Sequence, residues 1–391
     1  MKTVVILLSC VSLIAADKAN LRKFTSGNVA FAADIYKQVS AESNENFLVC
    51  PFSAETVLAL VQSGAKGETR KELRTALHLS QSSEKIENVF RSLLPSLSGG
   101  KHYSLHAANK IYVKEGYAIK DDFKKTAADV YQSSVENINF SEKVQAAKTI
   151  NDWVEKQTEN RIHDLVPEDS LTEDTVVILI NALYFKGAWS QPFRRYLTLK
   201  RDFYKSAGDV IQVDTMRNRD LHGYYESSEL NATFLKLSFN KSKKVQMVIV
   251  LPNERNGLAA LENQIDKVLT APKFTSKDVN VALPKFTIES SIDFKKILKN
   301  AGVKKAFDHA DFSGITGKSG QIYISDILQK TFISVDEGGV EAAAATAVHL
   351  HGKSLIDYFG GEKSFVADHP FLFYIKIKNI VVFTGRVTSP A

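Results

Sequence analysis

The segment between Glu337 and Lys353 constrains the fold more than any other part of the chain. It reads Gly338-Gly339-Val340-Glu341-Ala342-Ala343-Ala344-Ala345-Thr346-Ala347-Val348-His349-Leu350-His351-Gly352, small in side chain and free of proline. Two glycines open it with unusual backbone freedom, and a strand-like run, Leu328 to Val335, leads into it. At a period of two, Val340, Ala342, Ala344, Thr346 and Val348 share one face, and Glu341, Ala343, Ala345 and Ala347 share the other. Either face suits a crowded sheet, so the segment reads as a mobile strand behind a hinge. Ala342 to Ala345 also has high helix propensity, and composition alone leaves an exposed helix or a flexible loop open.

The chain of 391 residues opens with Lys2, an apolar run from Val4 to Ile14, and Ala15-Ala16 before Asp17. That pattern fits a secretory leader over residues 1–16, too short to span a bilayer, with cleavage after Ala16 or Ala15. Removing it leaves one mature cysteine, Cys50, so no intramolecular disulfide can form and packing must supply the stability. Cys50 lies between Val49 and Pro51 and reads as a small buried hydrophobe. The leader holds one lysine and no acid, so 49 basic against 44 acidic residues leave +5. That excess is mild and scattered, which argues against a nucleic-acid partner, and no second apolar run implies a membrane anchor. Asn139, Asn231 and Asn240 begin Asn-x-Ser/Thr sites open to secretory glycosylation.

Helical spacing dominates the first half. Ser26 precedes Ala32, Ile35, Tyr36 and Val39; Ser53 precedes an apolar stretch to Gly64; Thr69 to Leu77 and a run after Ser141 follow. Strands are expected later, at Thr175 to Phe185, Val245 to Leu251, Val279 to Ile288, Ile322 to Val335, Phe371 to Ile377 and Val381 to Val387. Several are almost continuously apolar, which implies burial on both faces. With no repeat, linker or composition break, one large α+β domain over 17–391 is the economical reading.

Motifs for chemistry are missing from the sequence. There is no Gly-x-Ser-x-Gly elbow and no His-Glu-x-x-His pattern. Gly314-Ile315-Thr316-Gly317-Lys318-Ser319 looks like a truncated phosphate loop, but Phe312 stands where its first glycine belongs. His349 and His351 share a face without an acidic or cysteine pair to complete a metal set.

Four separated stretches resemble the serpin family. Asn46-Phe47-Leu48-Val49-Cys50-Pro51-Phe52-Ser53, continued by Gly64-Ala65-Lys66-Gly67-Glu68-Thr69, is similar to that family's entry into its second helix. Asn181-Ala182-Leu183-Tyr184-Phe185-Lys186-Gly187-Ala188-Trp189 resembles a strand of its main sheet. Asp368-His369-Pro370-Phe371-Leu372-Phe373 and Phe383-Thr384-Gly385-Arg386-Val387 resemble its closing strands, and the hinge described above completes the set.

The resemblance implies a serpin fold of three β-sheets and about nine helices, with an exposed reactive-centre loop at about 337–359. It implies a serine protease inhibitor and not an enzyme, acting as bait that inserts into its own sheet. By the family's spacing the reactive bond is Lys353-Ser354, and Lys353 is the only lysine or arginine between Glu337 and Lys363. A lysine suits a trypsin-like pocket with a carboxylate at its base. Leu350 would instead bait a chymotrypsin-like enzyme after a register shift.

The implied hinge is Glu337, Gly338, Gly339, Val340, Glu341, Ala342, Ala343, Ala344 and Ala345, with Val340 inward and Glu341 toward solvent. The implied shutter is Ser53, Asn181 and Gln329, where many serpins carry a histidine that glutamine cannot mimic in titration. Trp189 and a Lys285 to Glu337 ion pair match the breach at the loop's point of entry.

Partners follow from the same resemblance, which is to secreted arthropod haemolymph serpins. They are a trypsin-like protease, such as a clip-domain protease of an innate-immunity cascade, and a monomeric inhibitor that requires no cofactor. Clusters at Arg194-Arg195, Lys241-Lys243-Lys244, Lys295-Lys296-Lys299 and Lys304-Lys305 could bind heparin or another glycosaminoglycan as activator. The segment resembling the family's usual glycosaminoglycan helix, Ser83 to Ser98, carries only Lys85 and Arg91. The alternative is a non-inhibitory serpin serving as carrier, storage protein or chaperone.

Overall fold

The computed structural model describes residues 2–97, 99–100, 103–239, 242–270, 272–341 and 362–390. Among them are ten α-helices and two hydrogen-bonded sheets. The smaller, main sheet has seven strands. Its path runs Phe286–Asp293, Ile324–Val335, Gly339–Val340, Val177–Ala188, Tyr103–Lys114 and Gly99–Gly100, and Ser134–Ile138 pairs with Tyr103–Lys114 off that path. At its centre Ile324–Val335 runs parallel to Val177–Ala188, while the strands outside this pair, Phe286–Asp293 and Tyr103–Lys114, are antiparallel to it.

The three expected sheets resolve into these two networks because one strand serves in two places. Asp209–Ser227 is 19 residues long. It pairs with Leu199–Ser206 and Thr275–Pro284 along most of its length and with Ala232–Phe239 at its end. The ladder is therefore continuous through a bend, and the nine-stranded sheet includes Phe371–Ile377 and Ile380–Val387, every residue of which is buried.

The Val177–Ala188 strand illustrates how the sequence builds both faces of the main sheet. Leu179, Leu183 and Phe185 point into the large core, and Ile178, Ile180 and Ala182 point into a second, smaller core. That second core lies beneath the helix Lys143–Gln157, which contributes Ala146, Ala147, Ile150 and Val154. Burial on both faces explains the unbroken apolar run, each large side chain contributing about 1.5–3 kcal/mol.

Some expected boundaries move. Ser26 lies inside a helix, Lys2–Ser40, which also takes in residues 2–16 of the expected leader; its hydroxyl donates to the Arg22 carbonyl at 3.2 Å. The second helix starts at Pro51, the first-turn position where a missing N–H is harmless, so Ser53 is interior. Val279 to Ile288 is two strands, Thr275–Pro284 in the large sheet and Phe286–Asp293 in the main sheet, separated at Lys285. None of the described helices is long and apolar enough to cross a membrane.

Candidate functional site

The chain leaving Ile324–Val335 turns back at once. Asp336 makes the turn: its carboxylate accepts from the Gly338 and Gly339 amides at 2.8 and 3.1 Å, and its own N–H donates to the Gly339 carbonyl at 2.9 Å. Gly339 and Val340 then enter the gap between the parallel central strands. Val340 pairs with Gly187 on one side and Val335 on the other, and Gly339 pairs with Ala188. Val340 is 0 % exposed. The Glu341 amide continues the ladder by donating to the Ser334 carbonyl at 3.0 Å.

Glycine is required at the point of entry. Gly339 has φ +154°, and a Cβ there would lie 2.1 Å from the Gly187 carbonyl oxygen.

Glu337 is buried at the turn and tied down from three sides. Lys285 Nζ lies 3.1 Å from one carboxylate oxygen, the Thr198 hydroxyl donates to the other at 2.8 Å, and the Phe193 amide donates to its carbonyl at 2.9 Å. Burial pushes the Glu337 carboxyl up, but hydrogen bonds from Thr198, its own amide and Lys285, with the Lys285 charge, hold it below the usual carboxylate range. Trp189 closes the same corner. Its indole N–H donates to the Asp336 carbonyl at 2.9 Å and its ring stacks on Phe239 at 4.6 Å.

About halfway down the same strands sits a buried polar cluster. The ladder sets Gln329 opposite Asn181, and Asn181 opposite Asn109 on the third strand. Gln329 donates to the Asn181 carbonyl oxygen, and the Asn181 amide donates to Ser53 and Asn109. Ser53, reaching up from its helix, donates to Asn109 at 2.8 Å. Gln329 also holds the backbone of Cys50 twice, accepting from its N–H and donating to its carbonyl, both at 2.9 Å. Four side chains from four elements thus bridge the central strands and the helix below. Cys50 itself is fully buried, and burial pushes its thiol well up, so it stays a neutral thiol.

Comparison with known proteins decides the family. The family described as Serpin (serine protease inhibitor) matches residues 26–390. The chain belongs to the serpin family. Alaserpin of Manduca sexta is 35 % identical over the whole of both chains, and antitrypsin of Bombyx mori is 34 % identical over 98 % of this chain and 99 % of its own. The crystal structure of Serpin48 from the insect Tenebrio molitor superposes with a TM-score of 0.88 at 46 % identity, covering 94 % of this chain and 98 % of that one. The protein is accordingly a protease inhibitor and not an enzyme.

In this serpin, Ser53, Asn181 and Gln329 come together as one cluster, and Trp189, Lys285 and Glu337 come together as another. Ala342, Ala343, Ala344, Ala345, Lys353 and Ser354 lie outside the described residues, as do Leu350, His349 and His351. Asn231 is exposed, Asn139 is half-buried, and Asn240 is not described.

One basic cluster is partly neutralised: Lys296 lies 2.8 Å from Glu42 and Lys295 lies 3.7 Å from Asp326. The backbone amides of Lys304 and Lys305 donate to Glu72. Arg194 and Arg195 are exposed.

Two features of the serpin escaped the sequence. Asn109 gave no signal, since its role depends on ladder register with a strand 72 positions away. Glu341 does not face open solvent. Its side chain is 12 % exposed, with Arg161 at 3.1 Å and the Tyr184 hydroxyl donating at 3.2 Å. Its strand face is the outward one, but that face is roofed by the segment after the Lys143–Gln157 helix.

Proposed function

We propose that this serpin is a secreted suicide inhibitor of a trypsin-like serine protease, acylated at Lys353 and trapping its target by loop insertion in an extracellular cascade. The observation that carries the reading is the seating of Gly339 and Val340 between the two parallel strands. Those residues already occupy the first two places of a strand antiparallel to both neighbours. The rest of the loop can follow once Glu341, now at φ 48°, turns to extended backbone.

The register at Gly339 and Val340, carried forward, would assign a partner to each residue that follows. Six steps beyond Val340, Thr346 would come opposite both Asn181 and Gln329, which now bond to each other. Thr346 carries the only hydroxyl on the inward face of the loop, so it can take over hydrogen bonds that the parting strands lose. Ala342 and Ala344 pass through the gap before it with little bulk.

Cleavage would leave the protease esterified through its serine to the Lys353 carbonyl. At ~3.3 Å per residue the fourteen residues 340–353 would carry it on the order of 45 Å. About a dozen new ladder bonds at ~0.5–1.5 kcal/mol each supply on the order of 10 kcal/mol, comparable to the whole stability of a typical enzyme. Distortion of the trapped active site before deacylation follows from that comparison.

Mixing the protein with pancreatic trypsin tests the reading. The expected result is a detergent-resistant complex and release of a C-terminal fragment beginning at Ser354. Cleaved protein beside fully active trypsin would overturn it, and a fragment beginning elsewhere would relocate the reactive bond.

A further inference from the structure

We infer that Arg161 is a positioning residue for loop insertion, acting through Glu341 to hold the hinge in the register that the inserting strand must follow. The inference rests on the inhibitory reading above and deepens it.

Arg161 belongs to neither the sheet nor the loop. It follows the Lys143–Gln157 helix, where Glu159 and Asn160 at φ 52° and 56° turn the backbone back over the sheet. The neighbouring Ile162, 0 % exposed, anchors this segment in the second core beside Ile178 and Ile180. The Arg161 amide donates to the Thr158 carbonyl at 3.0 Å, and Thr158 is itself buried with its hydroxyl on the Val154 carbonyl at 2.8 Å. Arg161 is therefore carried on a fixed support although its side chain is 49 % exposed.

Glu341 meets that support from the other side. Its φ is 48°, a conformation that non-glycine residues seldom adopt without a compensating contact. The carboxylate oxygen Oε2 receives both Arg161 and the Tyr184 hydroxyl. Tyr184 is fixed in turn by its place on the central strand and by stacking on His106 at 5.5 Å. Burial, then the adjacent Glu341 carboxylate, push the Tyr184 hydroxyl up, so it remains a donor. Two donors from two elements thus converge on the first hinge residue beyond the buried Val340.

The consequence is directional. Glu341 sits on the outward face and Val340 on the inward face, so capture of Glu341 locks the facing of the strand as well as its position. A slip of one residue would turn Glu341 into the core, where an unpaired carboxylate is prohibitive. Continuing the strand requires Glu341 to turn from φ 48° to extended backbone, with its side chain on the same outward face as Tyr184, so the contact sets the register from which insertion starts. Arg161 thereby favours insertion over deacylation without touching the protease.

The test uses Arg161→Ala, Arg161→Lys and Glu341→Gln, each against pancreatic trypsin. The expected result is a stoichiometry of inhibition raised about threefold in Arg161→Ala and Glu341→Gln, as for loss of a partly buried ion pair. The product of that stoichiometry and the second-order rate constant should stay unchanged, because the encounter with protease is untouched. Arg161→Lys, which keeps the charge, should recover most of the loss seen in Arg161→Ala. Hydrogen exchange at the Glu341 amide, measured without protease, should quicken in Arg161→Ala.

Unchanged stoichiometry and exchange in Arg161→Ala and Glu341→Gln would overturn the inference, and so would an Arg161→Lys variant no better than Arg161→Ala. Should the unsubstituted protein trap no trypsin while Arg161→Ala still frees the Glu341 amide, the positioning of the hinge stands and the inhibitory reading falls.

Discussion

Gly339 crosses Gly187 so closely that no side chain fits between them: a Cβ on Gly339 would sit 2.1 Å from the Gly187 carbonyl oxygen and 2.8 Å from the Ala188 Cα. Both obstacles are backbone of the central strand and cannot rotate away. Gly339→Ala should therefore unseat the hinge, at a cost of about 1–3 kcal/mol. The expected signature is loss of hydrogen-exchange protection at the Val340 and Glu341 amides while the rest of the main sheet stays protected. Retained protection at both amides would refute it.

Val340 is the hinge side chain that the core already accepts. Val340→Glu places a carboxylate among apolar neighbours with no cation to meet it, and adds no new tryptic site. Insertion should slow enough for hydrolysis to win. The stoichiometry of inhibition is expected to rise at least ~10-fold, which corresponds to ~1.4 kcal/mol or more. Gel analysis after mixing with trypsin would then show cleaved chain in place of complex.

Gln329→Ala leaves the Cys50 N–H, the Cys50 carbonyl and the Asn181 carbonyl oxygen without their partner. Each orphaned buried group costs about 1–3 kcal/mol. The native unfolding temperature should fall by roughly 5 °C or more in calorimetry, given the usual conversion for chains of this size.

Thr346→Val keeps the shape of the side chain and removes its hydroxyl. If the register set at Val340 continues, only the loop-inserted form should suffer. The cleaved protein is expected to lose about 1–3 kcal/mol relative to cleaved wild type, while the uncleaved protein melts as before. Equal melting of both cleaved forms would place another residue between Asn181 and Gln329.

Buried titrating groups should give the protein a stability minimum near pH 8. Burial raises the Glu55 carboxyl to about 8, only partly offset by the hydrogen bond from Asn28. Between its ordinary value and about 8 the folded state keeps a proton that the unfolded state releases, so stability falls as pH rises. His222, lowered to about 4 by burial, has the opposite slope up to its ordinary value and cancels the descent there. The net descent is therefore expected from about pH 6.5 to 8. Lys376, lowered by burial to about 8, remains neutral when folded above that pH, so stability rises again until about pH 9, where the buried Cys50 thiol keeps a proton that the unfolded chain releases and cancels the slope. Glu55→Gln should abolish the descent and stabilise the protein at pH 7.5 by about 4 kcal/mol. Denaturant titrations between pH 6.5 and 10 on wild type, Glu55→Gln and Lys376→Met would show the three slopes.

Much of the fold was legible because burial on both faces leaves a long apolar imprint. Phe371–Ile377 has the bounds expected of it, and Ile380–Val387 and Ile324–Val335 lie within a few residues of theirs. Leu199–Ser206 and most of Asp209–Ser227 left no such imprint, since they carry exposed and buried residues in irregular alternation. Ser26 and Ser53 read as helix starts because a serine before an apolar run is a common cap. Ser26 instead bonds back into its own helix, and Ser53 spends its hydroxyl on Asn109.

What the chain's order of residues determined by itself was a one-domain α+β protein with a proline-free, small-residue segment able to become a strand. Periodicity and propensity are local, and those properties need only local information. Which residues meet was decided by tertiary structure. The Asn109, Asn181 and Gln329 row exists only through ladder register between distant strands, and the split of Val279 to Ile288 exists only because two sheets compete for it. Glu341 is the clearest case: its facing follows from a period of two, but the roof that turns that face into an ion pair comes from Arg161, 180 residues earlier.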